Sequence, residues 1–254
     1  MEALFDPTTI YGLMLIFARA GGLFSLAPAF SGKSVPVVVR VSLAFLLATI
    51  YFSLVPPAGP VPEHFLLLIL AIAHEFVVGL LMGLAVRLIF YALEMAGQII
   101  ATEIGLMMST SLDPITQSES SPVTTALSYL GIVIFFASGA HHMMFMAFLR
   151  SFELVPAAAG NFDPKVADLV VTESGKIFLV AVQMAAPLIA INFLVNFSLA
   201  ILSRAAPTIN AFLLSIPIQI VAGMVVFGMA VGLAAHYVLS ALSGVPELML
   251  RFIR

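Results

Sequence analysis

Five charged side chains stand inside otherwise apolar stretches of this 254-residue chain: Arg19, Glu75, Arg87, Glu94 and Glu103. A charge at the centre of a bilayer costs about 2.5–3.5 kcal/mol on insertion scales, so such residues face a protein interior or a water path. Glu75, Gly79, Gly83 and Arg87 recur at a spacing of four, which on a helix sets them along one stripe, with two glycines between opposite charges. Glu75 and Arg87 are about three helical turns apart, too far to pair with each other. Each needs a partner on another helix or another chain. Glycines four apart let backbones approach closely, and Gly228 and Gly232 repeat the spacing. The stripe reads as a subunit interface, with helix packing inside one chain as the alternative.

The run His141-His142-Met143-Met144-Phe145-Met146 has the imidazole and thioether groups that suit Cu(I). On a helix His142 and Met146 share a face, but no second cluster completes a transport path, so a helix terminus is the preferred reading. Asp113 and Glu119 share one loop, where carboxylates are ordinarily solvated. HExxH, GxSxG and Gly-rich phosphate loops are missing. No catalytic residue, metal-ligand set or cofactor is therefore expected, and the chain does not read as an enzyme. An ion-coupled secondary transporter working through Arg19, Glu75, Arg87 and Glu94 is the alternative function. Such transporters are built from repeated halves with broken helices, and no internal repeat is found.

The elements that must hold these residues follow from composition. Hydrophobic residues make up 62% of the chain and charged ones 9%, with a mean hydropathy of +1.16. A soluble domain carries about a quarter charged residues, so lipid, or protein standing in for lipid, is the main solvent. The net charge is −3 and no basic run exists, which argues against nucleic acid as a partner. Cysteine is absent, excluding disulfides and thiolate sites. Glu2 and Asp6 occupy the opening residues in place of a basic stretch, so a cleavable signal is not expected.

A spanning helix needs about 20 mostly apolar residues. Stretches of that kind cover roughly 10–30, 37–55, 65–108, 123–149, 176–202 and 211–242. They predict one all-α domain over 1–254, a polytopic membrane protein of helical hairpins with about six apolar helices. The third stretch is too long for one upright span. Residues 150–175 read as a polar connector. Lys and Arg fall on both sides of the spans, so the positive-inside rule sets no orientation. Arg204, Pro207, Asn210 and Pro217 read as a structural turn between the last two spans, since proline restricts the backbone and asparagine bonds free main-chain groups.

Several short motifs together resemble one family. They are RAGGLFSLAPAF at 19–30 with Val35-Pro36 and Arg40, then Glu75 with Gly79 and Gly83, then Gly97, Gly105 and the Asp113-Pro114 to Pro122 segment. GAHHMMFMAFLRSFELVP at 139–156 follows, and then SRAAPTINAFLLSIP at 203–217 with Gly223. In this order, over nearly the whole length, they resemble the FliR family of flagellar type III protein export and its injectisome counterparts. Thr208-Ile209 departs from the Gln-Met that often precedes the asparagine.

The resemblance implies a core subunit of the export gate in the bacterial inner membrane, at the flagellar basal body. Such a chain assembles with FliP-like and FliQ-like subunits into a protein-conducting channel, contacts an FlhB-like subunit and passes unfolded substrates. It looks like a FliP and a FliQ joined, in an assembly lifted largely out of the bilayer plane. A family loop that helps plug the closed pore corresponds here to residues 105–122. The residue types agree with that role. Gly105 and Pro114 suit a helix break and a turn, and Met107 and Met108 supply adaptable apolar bulk. Ser109, Asp113 and their neighbours up to Pro122 belong in water or against protein. An ordinary surface loop is the alternative reading.

Overall fold

The computed structural model describes residues 6–32, 35–55, 59–106, 121–158, 164–208 and 210–253. Every regular element among them is an α-helix: α1 (Pro7–Leu26), α2 (Pro28–Ser31), α3 (Val37–Tyr51), α4 (Phe65–Glu103), α5 (Pro122–Ala137), α6 (Ala140–Leu154), α7 (Lys165–Ala205), α8 (Ala211–Ser243) and α9 (Val245–Arg251). The fold is all-α, as the composition demanded. Among the described residues, four helices are long and apolar enough to cross a membrane, or five if α5 and α6 form one broken span. The expected six is reduced because α3 holds only 15 residues, below the ~17 a span requires.

Backbone packing divides the chain into two compact units. The first comprises Met1–Ile89, Phe135–Glu173 and Ala241–Arg254; the second comprises Phe90–Ile134 and Ser174–Ser240. In the first unit, α1 lies against α3, and α9 against α6. Aromatic rings fill the space between helices. Phe17 meets Phe45 edge-on with ring centroids 6.3 Å apart, and Tyr51 stacks on Phe148 at 5.9 Å. In the second unit, glycines set the helix contacts. Gly97 abuts the Thr124 backbone, Gly131 the Leu93 side chain, and Gly223 the Ile104 side chain.

Helix ends follow local chemistry. Pro7 and Pro122 occupy first-turn positions, where their missing N–H is no loss. Ser121 Oγ accepts the Thr124 N–H at 3.1 Å and so caps α5. At the end of α4, Leu106 N–H donates to the Ala101 carbonyl and Gly105 N–H to the Thr102 carbonyl, both at 3.0 Å. With Gly105 at φ +81°, this is the paired closure that a left-handed glycine makes at a helix C-terminus.

Three expectations need correction. The stretch 123–149 is two helices, because Gly139 takes φ +74° and interrupts the ladder between Ala137 and Ala140. The polar connector 150–175 is helical from Lys165 onward. Its charges, Asp168 in the first turn among them, suit a helix N-terminus as well as they suit a loop. Pro217 lies inside α8 rather than in the turn before it. The turn itself is shorter: Arg204 closes the last turn of α7, Pro207 sits in the bend, and Asn210 Oδ1 accepts the Leu213 N–H at 3.3 Å.

That capping bond has a measurable consequence. Asn210→Leu removes the acceptor and should lower the unfolding free energy of the detergent-solubilised chain by about 1 kcal/mol, while Asn210→Asp retains it. Equal stability of the Leu variant would show that the cap contributes nothing.

Candidate functional site

The first unit carries its charge in one place. Arg19 on α1 and Glu75 on α4 are both wholly buried, and Arg19 Nε donates to Glu75 Oε2 at 2.6 Å. Arg19 Nη1 donates to Ser151 Oγ at 2.9 Å and Nη2 to the Val155 carbonyl at 3.0 Å. Its Cζ stands 3.9 Å from the centroid of the Phe152 ring, adding a cation–π contact. Ser151 passes its own proton to the Phe148 carbonyl at 2.6 Å. Glu75 Oε1 accepts the Ala158 N–H at 3.0 Å. Ala158 has φ +69°, a left-handed conformation that costs an L-residue roughly 1–2 kcal/mol. The buried carboxylate is the group that holds it there.

Glycine makes the short ion pair possible. A Cβ on Gly79 would overlap the Arg19 carbonyl oxygen, and one on Gly83 would stand 2.7 Å from the Leu23 carbonyl oxygen. A Cβ on Gly22 would overlap the Phe76 carbonyl oxygen from the opposite side. The Gly79–Gly83 stripe is thus occupied by α1 of the same chain, where the sequence favoured a neighbouring subunit. Arg87 and Glu94 are half-buried further along α4. Gly228 and Gly232 on α8 have no described atom near enough to meet a Cβ.

The second unit holds a different polar group. Glu103 Oε2 accepts from Asn192 Nδ2 at 2.5 Å, Asn192 Oδ1 from Asn196 Nδ2 at 3.1 Å, and Asn196 Oδ1 from Gln219 Nε2 at 2.8 Å. The amide donors all point toward the carboxylate, across the end of α4, α7 and α8. A small cavity opens beside them, lined by Glu103, Asn192 and Gln219 and by apolar residues including Leu188, Ile191 and Val195. Sequence reading missed Asn192, Asn196 and Gln219. The signal was there: two asparagines four apart, on one face of an apolar helix.

Of the segment singled out between 105 and 122, Gly105 ends α4 and Pro122 starts α5. Met107, Met108, Ser109, Asp113 and Pro114 lie outside the described residues.

The sequence profile described as "Bacterial export proteins, family 1" matches residues 10–245. "Flagellar biosynthetic protein FliR" of Caulobacter vibrioides is 30% identical over 225 residues, covering 88% of this chain and 90% of that protein. The protein of the same name from Bacillus subtilis is 32% identical over 212 residues, covering 82% and 81%. "Yop proteins translocation protein T" of Yersinia pestis is 33% identical over 218 residues, covering 84% and 82%.

Two sets of variants test the first unit. Arg19→Met or Glu75→Leu alone should each cost about 3–5 kcal/mol, because each strands a buried charge. The double variant should lose clearly less than their sum, read as non-additivity in a detergent unfolding cycle. Gly79→Leu should prevent the isolated chain from folding, whereas Gly228→Leu should leave it folded and monodisperse on gel filtration. The reverse pattern would assign the two glycine stripes the wrong way round.

Proposed function

This chain belongs to the bacterial export proteins of family 1, and on that footing we propose that it is a core subunit of a flagellar type III export gate. It sits in the bacterial inner membrane at the flagellar basal body and assembles with FliP-like and FliQ-like subunits into a protein-conducting channel. An FlhB-like subunit contacts it, and unfolded substrates pass the assembly. The chain contributes no catalysis and no cofactor. The observation that carries this reading is the family match over residues 10–245, joined to relatives named for flagellar biosynthesis and for Yop translocation.

The architecture is consistent with assembly. On α8 the exposed residues Val221, Met224, Val225, Gly228, Met229, Gly232 and Leu233 fall three and four apart. They form one continuous apolar face with two glycine notches that the chain leaves open. Small residues on such a face let a second helix approach closely. Residues 105–122 are the closing element in this reading. The chain leaves α4 through the left-handed Gly105 and re-enters a helix at the Ser121 cap, so the ends of the segment are tied to helices. Gly105, Met107, Met108, Ser109, Asp113, Pro114 and Pro122 are its proposed functional residues.

Purification from native membranes tests assembly directly: the chain should emerge with FliP-like and FliQ-like partners, and a chain that emerges alone contradicts it. Deleting residues 109–118 tests the closing role. The deletion complex should assemble at wild-type yield and become leaky to small ions, measured as conductance or as small-solute uptake by cells. Intact assembly with no leak would make the segment an ordinary connector.

A further inference from the structure

The carboxylate of Glu103 stands where a negative charge is least favoured. It is the last residue of α4, a helix with no basic residue in its final turn, and a helix C-terminus is itself the negative end of the dipole. Among the described residues that line the adjoining cavity, none is basic. Asn192 supplies one donor to Oε2, while Oε1 accepts nothing among the described residues. Gln219 spends its amide N–H on Asn196, and its Oε1 turns toward Gly105, 3.5 Å from where a Cβ would stand there. The cavity is therefore acceptor-rich and short of one positive charge. Neutral amides alone would serve as glue between helices, so the carboxylate is more than that glue requires.

We propose that this cavity receives the side chain of a lysine from a neighbouring subunit, an inference that rests on the assembly reading above. The dimensions of the chemistry select this occupant. A single carboxylate balances one charge, which disfavours a divalent ion. A hard metal cation takes about six oxygens or more, and the cavity offers the carboxylate and a few amide oxygens. Lysine needs fewer: its ammonium has three donors and no acceptor, matched by Glu103 Oε1 and Gln219 Oε1. Its four-carbon stem suits apolar walls such as Leu188, Ile191 and Val195, which would be wasted on a hydrated ion. A charge pair desolvated in this way fixes which helix docks on the open side of α4, α7 and α8, and in what register.

The experiment uses the complete complex in native membranes, treated with a hydrophobic carbodiimide. The reagent activates a carboxylate, and an amine in contact then displaces urea to leave an amide bond. Peptide mapping should find Glu103 joined to a lysine of another chain, and Glu103→Gln should abolish that product. The same variant should reduce recovered complex by about tenfold or more, since it strands the partner's charge. Asn196→Leu, which spares the carboxylate, should leave the cross-link in place. A complex that assembles with Glu103 modified but joined to no lysine overturns this proposal alone. Protection of Glu103 by added sodium would assign the site to a metal cation instead and also overturn it. A wild-type chain that purifies without partners overturns the assembly reading and this inference together.

Discussion

Everything in the first unit depends on keeping one buried ion pair satisfied. Arg19 and Glu75 are 56 residues apart and wholly buried, in a chain with almost no other polar material to spend on them. Taking two charges out of water costs several kcal/mol each, and their attraction repays this only with good geometry and filled hydrogen-bonding capacity. The chain meets that condition with backbone and side-chain groups from the end of α6 and the turn after it. Ser151, the Val155 carbonyl and the Ala158 N–H come from a third region more than 70 residues beyond Glu75. A pair solvated by three distant segments cannot be half-formed at low cost. Its constraint is all or none, and it ties α1, α4 and α6 into a single arrangement.

The two units solve the same problem of polarity in apolar surroundings by different means. The first concentrates full charges and shields them, using glycines to bring backbones close enough for a 2.6 Å contact. The second spreads partial charges along a row of amides that polarise one another and lead toward a single carboxylate. The first is closed and self-sufficient. The second is finished on one side only, which is why a partner is sought there and not at Arg19.

Much of this was legible in the sequence, and the limits have physical causes. Long apolar runs mark helices because lipid-like surroundings tolerate little else, and isolated charges within them mark buried contacts. The stripe through Glu75, Gly79 and Gly83 was visible as a packing face, but residue types say nothing about whether the opposing backbone belongs to the same chain. Arg19 and Glu75 were each singled out without being joined, since pairing depends on how α1 crosses α4. Gly139 passed unnoticed as a break, because a glycine inside an apolar run is compatible with an unbroken helix until its φ is known. Pro217 misled in the opposite sense: proline in the first turns of an apolar helix resembles a loop signal, although an apolar helix can absorb the lost hydrogen bond when neighbours compensate. Asn192, Asn196 and Gln219 were overlooked because neutral amides attract less notice than charges. In an apolar chain they deserve equal weight.

The 39 residues of α4 carry one further consequence, concerning hydrophobic mismatch. At about 1.5 Å per residue the helix has a contour of about 58 Å, against a hydrocarbon core of about 30 Å. Tilt alone would need about 60° to hide the whole length, and transmembrane helices tilt by roughly 0–40°. Neither snorkelling nor local thickening of the bilayer closes a gap of that size, so protein must cover what lipid does not. A newly made copy therefore carries an uncovered apolar segment from the moment it leaves the insertion machinery. Its survival becomes a matter of timing, in which quality-control proteolysis competes with whatever arrives to cover it.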